Sequence, residues 1–329
     1  MIISWNVTNR CNMHCKHCYR DSGEVKNKEL TTKEALKLIK EIYKAGFKMM
    51  IFSGGEPLMR EDIYEVISYA SSLGIRTVLG SNGTLITRSV ASKLKDAGIK
   101  CAGISLDSLD PKKHNAFRKN NNAWSGALFG MKNCRDVGLP FQIHTTVMKW
   151  NKDEILNITD LAVSMGAKAH YQFFLVPTGR GEEIETQVLD SEEYNDIIQK
   201  LMKKQKNCSI TIKPTCAPQF IKIGKDMDLQ MRFKRGCLAG ISYCIIAPNG
   251  DVQPCAYLDK PVGNVKDNPF DEIWNNNSTL KILRSYNYGG NCGKCKNVDI
   301  CGGCRARAAY YNNGNYMAGE KNCKSFEAL

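Results

Sequence analysis

The 329-residue chain carries 46 Lys+Arg against 33 Asp+Glu, a formal charge of +13, and 15 cysteines. Its 43% hydrophobic and 24% charged content is that of a folded protein with ample core material, which excludes disorder, collagen and a coiled coil. No run approaches the ~18 apolar residues of a membrane span, and Met1–Asn6 turns polar at Ser4, too early for the apolar core of a signal peptide. A reducing cytoplasm is therefore expected, where thiols serve as metal ligands or catalytic groups more often than as disulfides. Lysines are spread along the chain without aromatic-interleaved recognition motifs, so the charge reads as a solvated surface and not as a nucleic-acid footprint.

In chain order, apolar β-rich runs at Ile2–Thr8, Met49–Ser53, Arg76–Gly80, Cys101–Leu106, Phe141–Val147 and His170–Val176 alternate with helical patterns. Thr31 and Glu34 form a capping box before Ala35, Leu38, Ile39 and Ile42 on one face. Ile63, Ile67, Ala70 and Leu73 repeat that spacing. Asn151 and Glu154 open a further helix with Ile155, Ile158, Ala162 and Met165 inward. Gly46, Gly74, Gly98, Gly138 and Gly166 each follow a helical run, where a left-handed cap is wanted. Six β-α units with right-handed crossovers predict an α/β fold, a parallel sheet curled into a partial (β/α)6 TIM-like barrel, since eight units are needed for closure. Ser191–Lys206 reads as one more helix. After Pro214 the alternation stops; nine of the 15 cysteines lie between Cys216 and Cys323. The expected division is residues 1–213 for the barrel with its trailing helix and 214–329 for a loop-rich segment stapled by metal.

Cys11-x3-Cys15-x2-Cys18-Tyr19 follows the first strand directly, at the strand end where such sheets build active sites. Three thiolates at that spacing suit a four-iron cluster with one open iron; a zinc site completed by His14 or His17 is the other reading the spacing allows. The run resembles the signature of the radical S-adenosylmethionine (SAM) enzymes, and Ser53-Gly54-Gly55-Glu56-Pro57, closing the second strand, resembles that family's second motif. The resemblance implies that the open iron chelates the amino and carboxylate groups of SAM. It also implies that the Gly54-Gly55-Glu56 loop binds the methionine amino group, with Glu56 as an acceptor. Asn82 after strand three, Ser105 at the end of strand four and Arg118 beyond it match positions that contact SAM in relatives. Ordinary strand capping for Ser105 and a solvated charge for Arg118 are the plainer alternatives. Tyr19 is expected either beside the adenine or in the core.

The downstream series Cys237-x6-Cys244-x10-Cys255 and Cys292-x2-Cys295-x5-Cys301-x2-Cys304-x18-Cys323 resembles the SPASM extension, which holds two auxiliary 4Fe–4S clusters. The resemblance assigns Cys237, Cys244, Cys255 and Cys304 to the first, and Cys292, Cys295, Cys301 and Cys323 to the second. The usual pattern places three residues before the ligand matching Cys304, against two here. A zinc ribbon is the competing reading, but its knuckles lie ~15–20 residues apart, not five. Cys101, Cys134 and Cys208 read as buried small residues. Cys216, in Lys213-Pro-Thr-Cys-Ala-Pro-Gln219, is expected near the active site as a hydrogen donor or ligand.

Phe173–Gly181, Lys213–Gln219 and Cys301–Arg307 resemble the subgroup acting on modified tetrapyrroles in haem d1 and alternative haem synthesis. That likeness implies remodelling of acetate or propionate side chains of a didecarboxysirohaem-type, anionic tetrapyrrole by a 5′-deoxyadenosyl radical. It also implies a flavodoxin- or ferredoxin-type electron donor. Arg180 is the first candidate for gripping a substrate carboxylate, with a surface pair to Glu182 or Glu183 as the plain alternative. His144 and His170 are candidate haem-iron ligands or satisfied strand histidines. A peptide maturase, whether of crosslinked ribosomal peptides or of sulfatases, is the alternative enzyme. An iron–sulfur electron carrier is the non-enzymatic one, and it leaves Gly54-Gly55-Glu56, Asn82 and Ser105 without a purpose.

Overall fold

A computed structural model describes residues 1–24 and 28–323. The six predicted strands are present as β1 (Ile2–Asn6), β2 (Met49–Ser53), β3 (Arg76–Ser81), β4 (Cys101–Ser105), β5 (Phe141–Val147) and β6 (Ala169–Phe174), all parallel and adjacent in chain order. Between them run α1 (Thr32–Lys44), α2 (Ile63–Ser72), α3 (Arg88–Asp96), α4 (Pro111–Arg118), α5 (Ala123–Asp136) and α6 (Ile155–Ser164); α7 (Ser191–Gln205) follows β6. The Thr31–Glu34 capping box forms, and α1 buries the four residues its periodicity singled out. All five cap glycines take positive φ. Near Asn151 a 3-10 turn precedes α6, because the Asn151 amide donates inward to the carbonyls of Asp107 and Thr146 and does not cap the helix.

Four strands go beyond the six. Strand β7 (Thr211–Thr215) pairs parallel with β6 at the sheet edge, where Pro214 costs no ladder bond on the open side. Helix α8 (Phe220–Asp226) follows it. Strand β8 (Tyr243–Ile246) pairs parallel with β1 at the opposite side, and β9 (Asp251–Gln253) and a short β10 (Gly263–Asn264) extend it as an antiparallel meander. The result is one ten-stranded sheet in the order β10-β9-β8-β1 through β7, so barrel and cysteine-rich segment share a single sheet.

Period-two alternation assigns the faces. Ile3, Trp5 and Val7 of β1, Met50 and Phe52, Ala102 and Ile104, and Ile143 pack outward with Leu38, Ile39 and Ile42 of α1 and their counterparts in one core. The alternate residues point inward and are only half-buried, as the patterns of β2 and β5 show. An open lumen therefore lies inside the curl. Its inward row Ser105, His144, Tyr171 and Lys213 runs across four strands in direct register. Among the described residues no helix is long and apolar enough to cross a membrane.

Candidate active site and cluster sites

The loops at the strand C-terminal ends converge. After β1, the cysteine loop is zipped to the β2 loop: Gly55 and Glu56 donate backbone N–H groups to Thr8 O and Arg10 O at 2.9 and 2.8 Å. Both glycines are needed for this approach, since a Cβ on Gly54 would lie 2.4 Å from Thr8 O and one on Gly55 2.2 Å from Arg10 O. Glu56 itself is fully buried. Its carboxylate accepts from Ser81 Oγ, at 2.9 and 3.0 Å to the two oxygens, and from the backbone of Asn82 at 2.9 Å and Leu58 at 3.3 Å. Burial raises its pKa to about 7 against those hydrogen bonds. The expectation of a Glu56 side chain free to take an ammonium is thus corrected: the carboxylate locks β2 to β3, and the acceptors this loop can offer are backbone carbonyls. Asn82 is likewise committed, its amide donating to Asn12 Oδ1 at 2.8 Å and accepting from Thr84. It bridges β3 to the cysteine loop. Ser105 stays half-buried on the inner face, its hydroxyl 3.5 Å from Ser81 O.

Cys11, Cys15 and Cys18 lie within electrostatic reach of one another; burial pushes the Cys11 thiol up to about 12. Ser22 N–H points at Cys18 Sγ, 3.4 Å away. His17 does not converge with the thiols: its ring stacks on Phe117 at 4.6 Å, and burial lowers it to about 4. Among the described residues no three His, Cys, Asp or Glu form a group that could hold a single metal ion.

Arg118 grips Asp107 with both Nε and Nη2 at 2.8 Å and brings Nη1 to 4.0 Å from Cys15 Sγ. Burial alone would raise the Asp107 carboxyl, but Arg118 and two neighbouring histidines hold it at about 2, so the pair stays ionised. Arg180 is placed differently from expectation. It donates from Nε to Cys15 O (2.9 Å) and from Nη1 to Asp21 Oδ1 (2.6 Å) and Ser22 O (3.0 Å), clamping the cysteine loop and facing no substrate space. Gly179, at φ +58°, lets this segment approach, for a Cβ there would lie 2.6 Å from Cys18 O.

The auxiliary thiols form two groups. Cys292, Cys295, Cys301 and Cys323 line one pocket. Backbone N–H groups of Glu320 and Asn297 point at Cys292 and Cys295 Sγ from 3.3 and 3.4 Å, and Arg305 Nη2 lies 3.2 Å from Cys292 Sγ. Such donors stabilise thiolates and tune cluster potentials. In the other group Cys304, Cys255 and Cys216 pack together with Leu258 and Val176. The Cys216 thiol donates to Cys304, which keeps the proton on Cys216 and favours a thiolate at Cys304; Cys237 lies within electrostatic reach of Cys304 as well. Cys244 is not there. It sits on β8 opposite Ile3, fully buried in the outer helix-facing core, while its neighbour Tyr243 takes the inner face. The structure therefore gathers Cys216, Cys237, Cys255 and Cys304, and corrects the assignment of Cys244.

Residues the sequence reading missed hold these groups. Arg307 and Glu320, both fully buried, pair at 3.3 Å; Arg307 also donates to Cys216 O at 3.0 Å, and Glu320 accepts from Cys304 N at 2.7 Å. The two arginines within Cys304–Arg305–Ala306–Arg307 were the available signal. Tyr19 takes the packed alternative: its hydroxyl donates to Asn6 Oδ1 at 3.1 Å and its ring tilts onto Tyr257 at 5.1 Å, between Cys18 and Cys255. It separates the two thiol groups and does not wait in the lumen. His170 is a satisfied core histidine between Thr145 and Thr159 hydroxyls, at 2.8 and 2.9 Å. His144 faces the lumen.

A SAM-type loop at the strand ends, a four-thiol pocket and a second four-thiol group define a radical enzyme with auxiliary clusters. Residues 5–162 match the model of the radical SAM superfamily and residues 237–305 that of the SPASM iron–sulfur cluster-binding domain, and the chain belongs to this family of radical SAM enzymes. It uses SAM, a 4Fe–4S cluster in the first region and auxiliary iron–sulfur clusters in the second. More particularly, it is 39% identical to the AdoMet-dependent heme synthase of Oleidesulfovibrio alaskensis, over 98% of this chain and 86% of that one. It is 38% identical to the enzyme of the same name from Methanosarcina barkeri, over 98% and 95%. The mycofactocin maturase MftC of Mycolicibacterium smegmatis is further away, 27% identical over 92% and 78%. Streptococcus suis SuiB bound to S-adenosylmethionine shares the fold, with a TM-score of 0.78 at 17% identity over 98% of this chain and 77% of that one.

Proposed function

We propose that this enzyme is a cytoplasmic haem synthase that converts two propionate side chains of Fe-coproporphyrin III to vinyl groups. The observation that carries the reading is the 38–39% likeness to AdoMet-dependent heme synthases along 98% of the chain, covering both thiol regions and every lumen strand. A relative at 30% identity is named Fe-coproporphyrin III synthase. Its product and haem differ by two propionates replaced by two vinyls, which sets the chemistry. Each –CH2–CH2–COO⁻ gives up one hydrogen atom, one electron and carbon dioxide, leaving –CH=CH2.

When bound, SAM and its cluster supply the 5′-deoxyadenosyl radical that takes the hydrogen atom, and the auxiliary clusters supply an acceptor for the electron. Cys11, Cys15 and Cys18 would hold the first cluster, with Arg118 and Ser105 facing SAM beside the Gly54–Gly55 carbonyls. Arg180, Asn82 and Glu56 fix the loops that carry these groups. Cys216, Cys237, Cys255 and Cys304 would hold one auxiliary cluster, and Cys292, Cys295, Cys301 and Cys323 the other. A flavodoxin- or ferredoxin-type protein would deliver the initiating electron.

The test incubates anaerobically reconstituted enzyme with SAM, dithionite and Fe-coproporphyrin III. Haem formed together with 5′-deoxyadenosine supports the reading. Vigorous SAM cleavage with unchanged porphyrin refutes it and favours the peptide-maturase alternative.

A further inference from the structure

The lumen row Ser105, His144, Tyr171 and Lys213 ends in an ammonium that no carboxylate among the described residues answers. Lys213 is 8% exposed, and among the described residues no carboxylate lies within 4 Å of its Nζ and no hydrogen bond leaves it. Burying an ion away from a carboxylate partner costs several kcal/mol, which an incoming carboxylate would offset. Two rings hold it from either side, Phe220 at 3.8 Å and Phe233 at 4.1 Å from the ammonium. Cation–π contacts of this kind offset part of the desolvation and leave the ammonium's donors free.

Its direction follows from register. Lys213 pairs with Tyr171 on the parallel neighbour, so both point to the same face. Tyr171 stacks on His144 at 5.6 Å, and His144 lies against Gly103, where a Cβ would meet its Cε1 at 2.3 Å. Phe233 meets Tyr171 edge-on at 6.4 Å. These rings form a continuous aromatic wall, with Lys213 at its β7 end. No Asp or Glu occupies an inward position on β1 through β8, and Arg76, at the opposite end of the strands, is exposed. Among the described residues the inward strand positions thus hold polar and aromatic side chains and no carboxylate, with Lys213 as their buried cation.

We propose that Lys213 is the receptor for a substrate carboxylate, gripping a propionate of the tetrapyrrole while the His144–Tyr171 wall supports the macrocycle. This rests on the functional reading above and names the group that binds its substrate. The ionisable groups that act on Lys213 are Cys216 and Cys237, which makes service to the auxiliary cluster the rival role. The inward register and the absence of any hydrogen bond to either sulfur favour the lumen.

The experiment titrates Fe-coproporphyrin III, and separately its tetramethyl ester, into reconstituted holoenzyme and follows the Soret band. Lys213→Gln should weaken binding of the free acid by about tenfold to a hundredfold, the worth of one charge-assisted hydrogen bond, and leave the ester's affinity unchanged. Lys213→Arg should restore most of the difference. Equal losses for acid and ester would mean a merely structural lysine and overturn the proposal. So would an unchanged porphyrin affinity accompanied by a shifted auxiliary-cluster potential. If Lys213→Gln fails to assemble its clusters, Lys213→Arg decides: acid binding as weak as the ester's, in a fully loaded enzyme, refutes the assignment. Failure of the wild-type enzyme to bind Fe-coproporphyrin III at all would refute the functional reading itself, a different outcome from wild-type binding that Lys213→Gln leaves intact.

Discussion

Replacing Cys216 and Cys244 separately by alanine tests which thiol belongs to the auxiliary group, because the structure assigns them opposite environments. Cys244 is fully buried in the helix-facing core beside Ile3 and the outer apolar residues. Its truncation removes one sulfur from a packed interior and costs ~1 kcal/mol, with no bearing on iron. Cys216 touches Cys304 and stands near Cys255 and Cys237. Alanine there leaves the backbone carbonyl that Arg307 and Tyr194 hold at 3.0 and 3.1 Å, so the loop keeps its anchors while the auxiliary group loses one of its four thiols. Three four-iron clusters amount to about 12 iron atoms per chain, and a lost auxiliary cluster lowers that to about 8. The assay is iron and acid-labile sulfide per chain after anaerobic reconstitution, with thermal denaturation in parallel. Cys216→Ala should lower the iron count and Cys244→Ala should not, while Cys244→Ala lowers thermal stability slightly. A full count in Cys216→Ala with a reduced one in Cys244→Ala would refute the face assignment of β8.

Arg180→Leu should abolish most SAM cleavage, because three hydrogen bonds to the cysteine loop disappear, yet porphyrin affinity should change less than about threefold; a large loss of affinity with intact cleavage would restore Arg180 to the substrate. Arg307→Met leaves Glu320 buried and unpaired, a cost of about 3–5 kcal/mol, and should release auxiliary iron on mild heating well before the wild type does. Affinity for Fe-coproporphyrin III should fall as pH rises through about 7, measured by Soret titration. Burial lowers the Lys213 ammonium to about 7, so the cation is present below that pH and lost above it, and Lys213→Arg should flatten the profile. Gly103→Ala should push the His144 ring from the lumen wall, since the new methyl would lie 2.3 Å from Cε1, and weaken porphyrin binding without altering iron content.

The strands from Ile2 to Phe174 were legible because each combines a β-rich run with flanking caps, and local pattern suffices for such units. Strand β7 escaped because Lys213 and Pro214 read as a break, and only its edge position makes the proline harmless. Strand β8 escaped because its partner is β1, some 240 residues earlier in the chain, a distance no local pattern spans. That omission caused the Cys244 error: cysteine spacing counts residues but is blind to the parity that turns Tyr243 inward and Cys244 outward. The SAM-loop motifs pointed to the right strand ends, whereas the division of labour within them was hidden. Glu56, Asn82 and Arg180 are polar residues in the expected places, but their hydrogen bonds are spent on neighbouring loops.

The position of the Cys216 group bears on how the molecule is held shut. Cys216 leaves β7, one margin of the sheet, and Cys255 follows β9 near the other margin. A metal core shared by both would act as a clasp on a split ring, cross-linking margins that backbone pairing leaves unjoined. Loss of that core to oxygen would then do more than remove an electron acceptor. It would let the ring spring open along its seam, exposing the unpaired margin of β7 to other chains, so oxidative damage to the iron and aggregation of the protein should arrive together.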